Sequence, residues 1–535
     1  MRDRNSKSVS KKRVFALLMS AAMAVSALTA CSSSSDGESS QSTASNTAAD
    51  AGQVLRIGRT WDSGNGNFDP ATFSGISFQF GPDVFETLLQ YDDNKEPAPF
   101  LAESYETSED LKTYTFHLRK GVQFHRGYGE MKASDVVFSV ERLSDPEVGN
   151  TATNAANLGT DNIESVEATD DYTVVFHLKE GDIFFPDKIA RSYLTVTSQK
   201  AVEELGLEAY QACPVGTGPF MLEEGGVPGE KYSTVRFDDY WGEKAKLDRV
   251  EYYVIPDDVT LANAMEAGEI DTYDVNSLEK VEEYSAAPDL YTMINARDSA
   301  QSYIGINENF EPLNDPKVRE AIALSINRDM ICEQYFKGTE DPAPGFLPDY
   351  CRYALDGYWN PEYNPEKAKE LLAEAGYPDG FSIDMYTPND TLSSGPATLV
   401  QQFLTDIGLD VNLQTVDFGV WLDMAKAGEI PIYLFWDSCP ILPDNVLMQF
   451  TSDSTINYIG FNNPEYDKVV AEALDETDLT KRAELYNEAQ RIMMDSGDLY
   501  AITTYSIHQV VSPRVKGLKL SSGLQLTCRE AYIEE

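Results

Sequence analysis

The sequence predicts an α/β fold built as two related lobes, and three observations carry that prediction. Residues 424–445 read as helix, turn and strand: Ala425, Lys426 and Ala427 favour helix, Gly428 sits where a helix stops in the left-handed conformation, and residues 430–435 are an unbroken apolar run of buried-strand length. Residues 264–275 follow the same plan, with the core Ala427-Gly428-Glu429-Ile430 matched by Ala267-Gly268-Glu269-Ile270. Two ordinary helix endings that share a glycine cap would give the same four residues, so the match alone does not decide between repeat and coincidence. Asp315-Pro316, Asn364-Pro365 and Asn463-Pro464 each set a capping side chain before a proline at the first helical position, and Gly376 closes the second of these helices. In open α/β sheets ligands collect beyond the carboxyl ends of strands, which directs attention to the loop expected at residues 436–445.

In chain order, residues 1–30 read as an export signal. Arg2, Arg4, Lys7, Lys11, Lys12 and Arg13 make a basic start, residues 14–28 are apolar but short for a membrane span, and Leu28-Thr29-Ala30-Cys31 follows. This order resembles the bacterial lipoprotein box, which implies cleavage before Cys31 and diacylglycerol on its sulfur; a plain secretory signal with an incidental cysteine is the alternative. Two or more acyl chains hold a protein stably at a membrane. Residues 32–52 are rich in Ser, Ala and Thr without apolar periodicity and are expected to form a disordered tether of about 25 Å typical reach.

The remaining ~480 residues exceed one hydrophobic core, so two or three lobes are expected. Without residues 1–30, 36 Lys and Arg oppose 87 Asp and Glu, a net charge of −51. Such a surface repels nucleic acid and anionic headgroups. Beyond Cys31, the cysteines are Cys213, Cys332, Cys351, Cys439 and Cys528, with no close pair at metal-ligand spacing. Zinc and iron–sulfur centres are therefore excluded, and no cofactor is expected. In an exported protein Cys332 and Cys351 are candidates for a disulfide, one pairing among several that the sequence leaves open.

Residues 54–57 make a first short strand, and 61–70 the loop that leaves it; Gly64 and Gly66 lack the lysine and spacing of a phosphate-binding loop. Tyr114, Phe116 and Leu118 alternate with Thr115 and His117, and Tyr172, Val174, Phe176 and Leu178 with Thr173, Val175 and His177. Both are half-buried strands of one small lobe. Four histidines, no Gly-x-Ser-x-Gly, no His-Glu-x-x-His and no P-loop leave no catalytic constellation, so an enzyme is not expected.

Leu101-Ala102-Glu103-Ser104-Tyr105-Glu106, residues 114–125 and residues 134–143 resemble successive signatures of the extracytoplasmic solute-binding proteins of family 5, the dipeptide and oligopeptide group. The resemblance continues through Val215-Gly216-Thr217-Gly218-Pro219-Phe220, Tyr240-Trp241, Tyr303-Ile304-Gly305-Ile306-Asn307 and residues 315–330 and 363–376, covering nearly the whole chain after the tether. It implies a periplasmic-binding-protein-like fold of type II, cluster C-like: two large α/β lobes joined by crossing strands, with a smaller inserted lobe. The expected divisions are 53–88 for lobe I, 89–212 for the inserted lobe II, 213–302 for lobe I again, 303–503 for lobe III and 504–535 for a return to lobe I. The long β-favouring run 500–511 is the expected second crossing.

The resemblance further implies a monomer at the extracytoplasmic face of a bacterial membrane, on the cell surface or in a periplasm according to the envelope. There it would capture short peptides between its lobes and pass them to the permease and ATPase subunits of an ABC importer. Cargoes left open are a glycan fragment, a modified amino acid or a metal chelate, and a surface receptor or chaperone without transport is a further alternative. In the family the peptide ammonium is held by the first acid of Trp-x-x-Asp-x-x-Asp-Pro-Asp-Asn. Here Trp436, Pro443, Asp444 and Asn445 match, but Cys439 stands at that acid. Asp437 lies two residues earlier, on the same side of an extended chain. Either Asp437 anchors a cationic ligand group, or it caps a loop or pairs with a lysine or arginine. Trp436, Cys439 and, in the first strand's exit loop, Trp61 are the other candidate ligand contacts; Asp444 and Asn445 are expected to begin a helix.

Overall fold

The computed structural model describes residues 52–61, 66–72, 80–145, 148, 155, 158–191, 194–355, 357–358, 361–439, 441–521 and 523–534. The export signal, Cys31, the tether up to residue 51 and Gly64 lie outside the described residues. Among the described residues, no helix is long and apolar enough to cross a membrane.

The two helix-glycine-strand units form as the sequence predicts. Asp257 caps Asp258–Glu266 by accepting from Thr260 N at 2.8 Å, and Asp417 caps Phe418–Lys426 by accepting from Gly419 N at 2.9 Å. Gly268 and Gly428 follow at φ +70° and +69°, and strands Thr272–Asp274 and Ile432–Ser438 come next. One expectation is corrected. The second strand runs on through Trp436, Asp437 and Ser438, where a loop was expected, because these residues find backbone partners in Ser302, Gln301 and Ala300. Asp315, Asn364 and Asn463 cap their helices with side-chain hydrogen bonds to backbone N–H groups, each with proline following.

Two long antiparallel strands, Thr292–Ile306 and Leu499–Val511, form the axis of an eleven-stranded sheet. On one side, Thr272–Asp274 pairs with residues 509–511, followed outward by Val54–Arg59 and Arg249–Val254 in parallel. On the other, Ile432–Ser438 pairs with residues 300–306, followed by Ser382–Pro388 and Asp410–Val416, again in parallel. The pairing senses make the two parallel sets run in opposite directions. Their carboxyl ends therefore face one another across the middle of the long pair. Only residues 295–299 separate the level of Asp274 from that of Ser438, and the register breaks there, between Arg297 and Gln301. This is the place where a crevice outside the carboxyl ends of both sheet halves is expected.

A separate four-stranded sheet, Ala102–Thr107, Thr113–Leu118, Thr173–Leu178 and Ile163–Asp170, has its own apolar core with Phe116, Phe176 and Val136. It is the smaller inserted unit. The end of the chain returns to the first half: Thr527 Oγ1 and Cys528 N donate to buried Asp83 at 2.7 and 2.9 Å, and Arg529 Nη1 donates to buried Glu86 at 2.9 Å.

The motif Val215-Gly216-Thr217-Gly218 is structural. Gly218 N donates to the Val84 carbonyl at 3.0 Å, Gly216 N to His125 Nδ1 at 3.2 Å, and Thr217 Oγ1 to Glu86 at 2.9 Å, while His125 Nε2 meets the Gly218 carbonyl at 2.9 Å. Burial holds the His125 imidazole down to about 3, so it stays neutral and can accept from Gly216. A Cβ on Gly216 would lie 2.0 Å from the Val84 carbonyl oxygen, a backbone atom that cannot step aside. Gly216→Ala is expected to cost about 1–3 kcal/mol, read as a lower urea midpoint with an unchanged slope.

Candidate functional site

Alternation along Ile432–Ser438 sends its side chains to opposite faces. Ile432, Leu434 and Trp436 join one core, around Ile304 and Val400; Tyr433 and Phe435 join another, around Trp421. Asp437 continues the second face, beyond the point where the core ends. The Phe435 ring stacks on Trp421 at 4.5 Å and on Phe418 at 6.1 Å, which fixes the strand just before the acid.

Asp437 is exposed to solvent, yet its pKa is raised above the usual carboxylate range, first by the protein mass around it and only partly offset by the Ser438 N–H that donates to Oδ1 at 2.8 Å. Exposure and desolvation disagree only in appearance. Water reaches the carboxylate, but crowding by the surrounding protein strips part of its hydration. Burial first, and the Asp437 charge after it, raise the pKa of Tyr303, Tyr433 and Tyr458. Among the described residues no lysine or arginine forms an ion pair with Asp437, and its one hydrogen bond comes from the next residue. An acid in that setting is stabilised by whatever cation enters.

Trp436 does not share Asp437's face. It is half-buried, its indole Nε1 donates to Asp390 Oδ1 at 3.2 Å, and its ring meets Tyr505 edge-on at 6.4 Å. Cys439 was expected on the same side as Asp437, and although the strand ends at Ser438, Cys439 adds one more backbone bond in the same register. Cys439 N donates to Ser299 O at 2.8 Å and its thiol is buried in the core. Trp61 is exposed beyond the carboxyl end of Val54–Arg59, on the opposing half of the sheet. Asp444 opens the helix Asp444–Gln449, and its carboxylate takes the Tyr486 hydroxyl and the Arg482 guanidinium, a structural assignment that matches the expectation.

Sequence reasoning missed the loop 341–354. Pro342, Pro344, Asp349 and Cys351 from this loop, with Arg297 from the irregular stretch of the first crossing strand, border a cavity of 460 Å³, within the size range of small-ligand sites. Arg297 is ion-paired to Asp341 at 2.8 Å and Asp349 at 3.0 Å. Buried Gln301 holds the loop by donating to the carbonyls of Gly345 and Phe346 at 3.0 and 2.8 Å. From the inserted unit, Lys95 Nζ donates to the Tyr350 carbonyl at 2.7 Å, while Arg352 pairs with Glu96 and with buried Asp187. The prolines and glycine of Pro342-Ala343-Pro344-Gly345 signal a shaped loop, but nothing in them signals what it borders.

The histidine nearest the crevice, His508, is held between Asn295 Oδ1 at 2.9 Å and Glu340 Oε1 at 3.1 Å, and no group of metal-binding side chains occurs among the described residues.

The family description "Bacterial extracellular solute-binding proteins, family 5 Middle" matches residues 96–458. The chain belongs to solute-binding family 5. It is 30% identical to heme-binding protein A of Haemophilus influenzae, over 84% of this chain and 87% of that protein. It is 29% identical to the dipeptide-binding protein of Escherichia coli, over 82% and 89%. The solved structure of HbpA2 from Haemophilus parasuis superposes with a TM-score of 0.80 at 25% identity, covering 90% of this chain and all of that one. The lobes, the crossing strands and the inserted unit are thus those of a family 5 protein, and Asp437 lies where its two sheet halves meet.

Proposed function

We propose that this family 5 protein captures short peptides in the crevice between its lobes, with Asp437 receiving the peptide ammonium, and delivers them to the permease of an ABC importer. The observation that carries the reading is an exposed, partly desolvated carboxylate at the meeting of the sheet halves that pairs with no lysine or arginine among the described residues. Trp61 lies on the opposing half and is proposed as a ligand contact from that side. The name of the Escherichia coli relative supports a peptide cargo. The name of the Haemophilus influenzae relative points to heme, which the chemistry here disfavours: heme brings two carboxylates to a site whose unpaired charge is already negative, and His508 has both ring nitrogens engaged. The lobe divisions at 88, 212, 302 and 503, the acyl anchor on Cys31 and the monomeric state complete the proposal. A ligand shifts the protein toward a closed form only by binding that form better, so closure reports occupancy to the permease.

Thermal unfolding of ligand-free protein, with and without a pool of free peptides of two to six residues, tests the cargo. At 100 times its dissociation constant a ligand adds about 2.7 kcal/mol. A clear rise in midpoint is expected; no rise would transfer the proposal to a non-peptide solute.

A further inference from the structure

The fold brings two thiols together that the sequence keeps far apart. Cys351 belongs to the loop beside the cavity, and Cys439 directly follows the strand that carries Asp437. The two segments are docked: Arg352 N donates to the Ile441 carbonyl at 2.7 Å, and Cys351 Sγ donates to the same carbonyl at 3.4 Å. Cys351 and Cys439 are buried in one apolar cluster, and after burial itself the neighbouring Cys439 thiol is the next cause that raises the pKa of Cys351. The other cysteines are engaged elsewhere. Cys213 Sγ takes the Arg126 guanidinium at 2.6 Å, Cys332 Sγ meets Thr503 Oγ1 at 3.8 Å, and Cys528 lies against Asp83. The candidate pairing of Cys332 with Cys351 is not formed, and none of these five cysteines is in a disulfide here.

We propose that Cys351 and Cys439 form a reversible disulfide that ties the 341–354 loop to the end of the Asp437 strand. The inference is independent of what the crevice binds. The step is an exchange with the disulfide of an extracytoplasmic carrier protein or of oxidised glutathione. The two thiols form one S–S bond, the donor's S–S bond breaks, and the donor leaves as a dithiol or as two molecules of glutathione, carrying both hydrogens. Burial pushes the Cys351 thiol well up, so in the folded, reduced protein Cys351 is a poor nucleophile. Exchange therefore occurs as the chain folds or when the loop opens. Once made, the bond holds Asp437, two residues from Cys439, against the wall that contributes Arg297 and Asp349 to the cavity. A chain linked in this way loses freedom mainly in its unfolded state, so the oxidised protein unfolds at a higher temperature.

The test is to refold the full-length protein from urea in a glutathione redox couple, so that access does not limit the reaction, then alkylate and digest with trypsin. The expected product is one linked species joining the peptide that ends at Arg352 to the peptide that begins at Ala427, lost on reduction. The thermal midpoint of the oxidised protein is expected to rise above that of the reduced protein, a difference absent from Cys351→Ser and from Cys439→Ser. Recovery of both cysteines alkylated or singly glutathionylated, or linkage of either to Cys213, Cys332 or Cys528, would overturn the proposal.

Discussion

Asp437→Asn is expected to weaken binding of a cationic ligand about 30- to 4,000-fold, the equivalent of about 2–5 kcal/mol for removing one partner of a desolvated charge pair. The fold should be untouched, because Asp437 is exposed and its one hydrogen bond, from Ser438 N, can be made equally well by an amide oxygen. Titration calorimetry separates the two, since stability without ligand stays at the wild-type value. The pH profile gives a second signature. Only the ionised carboxylate pairs with an ammonium, and its pKa is raised by the crevice. Lowering the pH therefore protonates it before an ordinary aspartate would titrate, near 3.9, and affinity falls from that higher point downward. Because the ligand favours the ionised form, binding in that range releases protons. In Asp437→Asn both the fall and the proton release should vanish.

Arg142→Met is expected to destabilise the protein by about 3–5 kcal/mol without involving the crevice. Arg142, on the helix Ala133–Ser144 of the inserted unit, donates both Nη atoms to Asp69 in the exit loop of the first strand, at 2.9 Å for the Nη1–Oδ1 bond. Both side chains are buried, and the guanidinium also faces the Tyr210 ring at 5.2 Å. Removing the arginine strands a carboxylate whose one remaining donor among the described residues is Ala71 N, at 3.1 Å. Pairing the change with Asp69→Leu should recover most of the loss, because the penalty comes from an uncompensated charge rather than from missing attraction. Urea unfolding of the single and double variants measures both numbers; a single variant as stable as wild type would show that water reaches the pair.

What the sequence discloses and what it withholds divide along physical lines. The capped helices, the left-handed glycines at 268 and 428 and the long strand ending at Val511 are set by neighbours within a few residues, so local chemistry announces them. Asp437 was singled out differently, from a family motif in which Cys439 stands at the usual acid. The extension of its strand was not legible, since Trp436–Ser438 is held by Ser302, Gln301 and Ala300, and an aromatic, an acid and a serine before proline read locally as a loop. The burial of Cys439 was not legible either, because the core it joins, with Phe346, Leu447 and Phe450, is assembled from separate segments of the chain. The meeting of Cys351 with Cys439 and the grip of Arg352 on Asp187 join residues from distant parts of the chain, and only the assembled topology relates them.

The central claim is that Asp437 receives a ligand's ammonium group, and the most direct measurement is a binding cycle with one peptide that raises the thermal midpoint. The free peptide and its N-acetylated form are titrated into wild-type protein and into Asp437→Asn. Acetylation should cost the wild type the same factor as the substitution does, and should cost the variant almost nothing more, because each change removes the same pair. If the acetylated peptide binds the wild type as tightly as the free one, or if the two losses simply add, Asp437 is not the ammonium's partner.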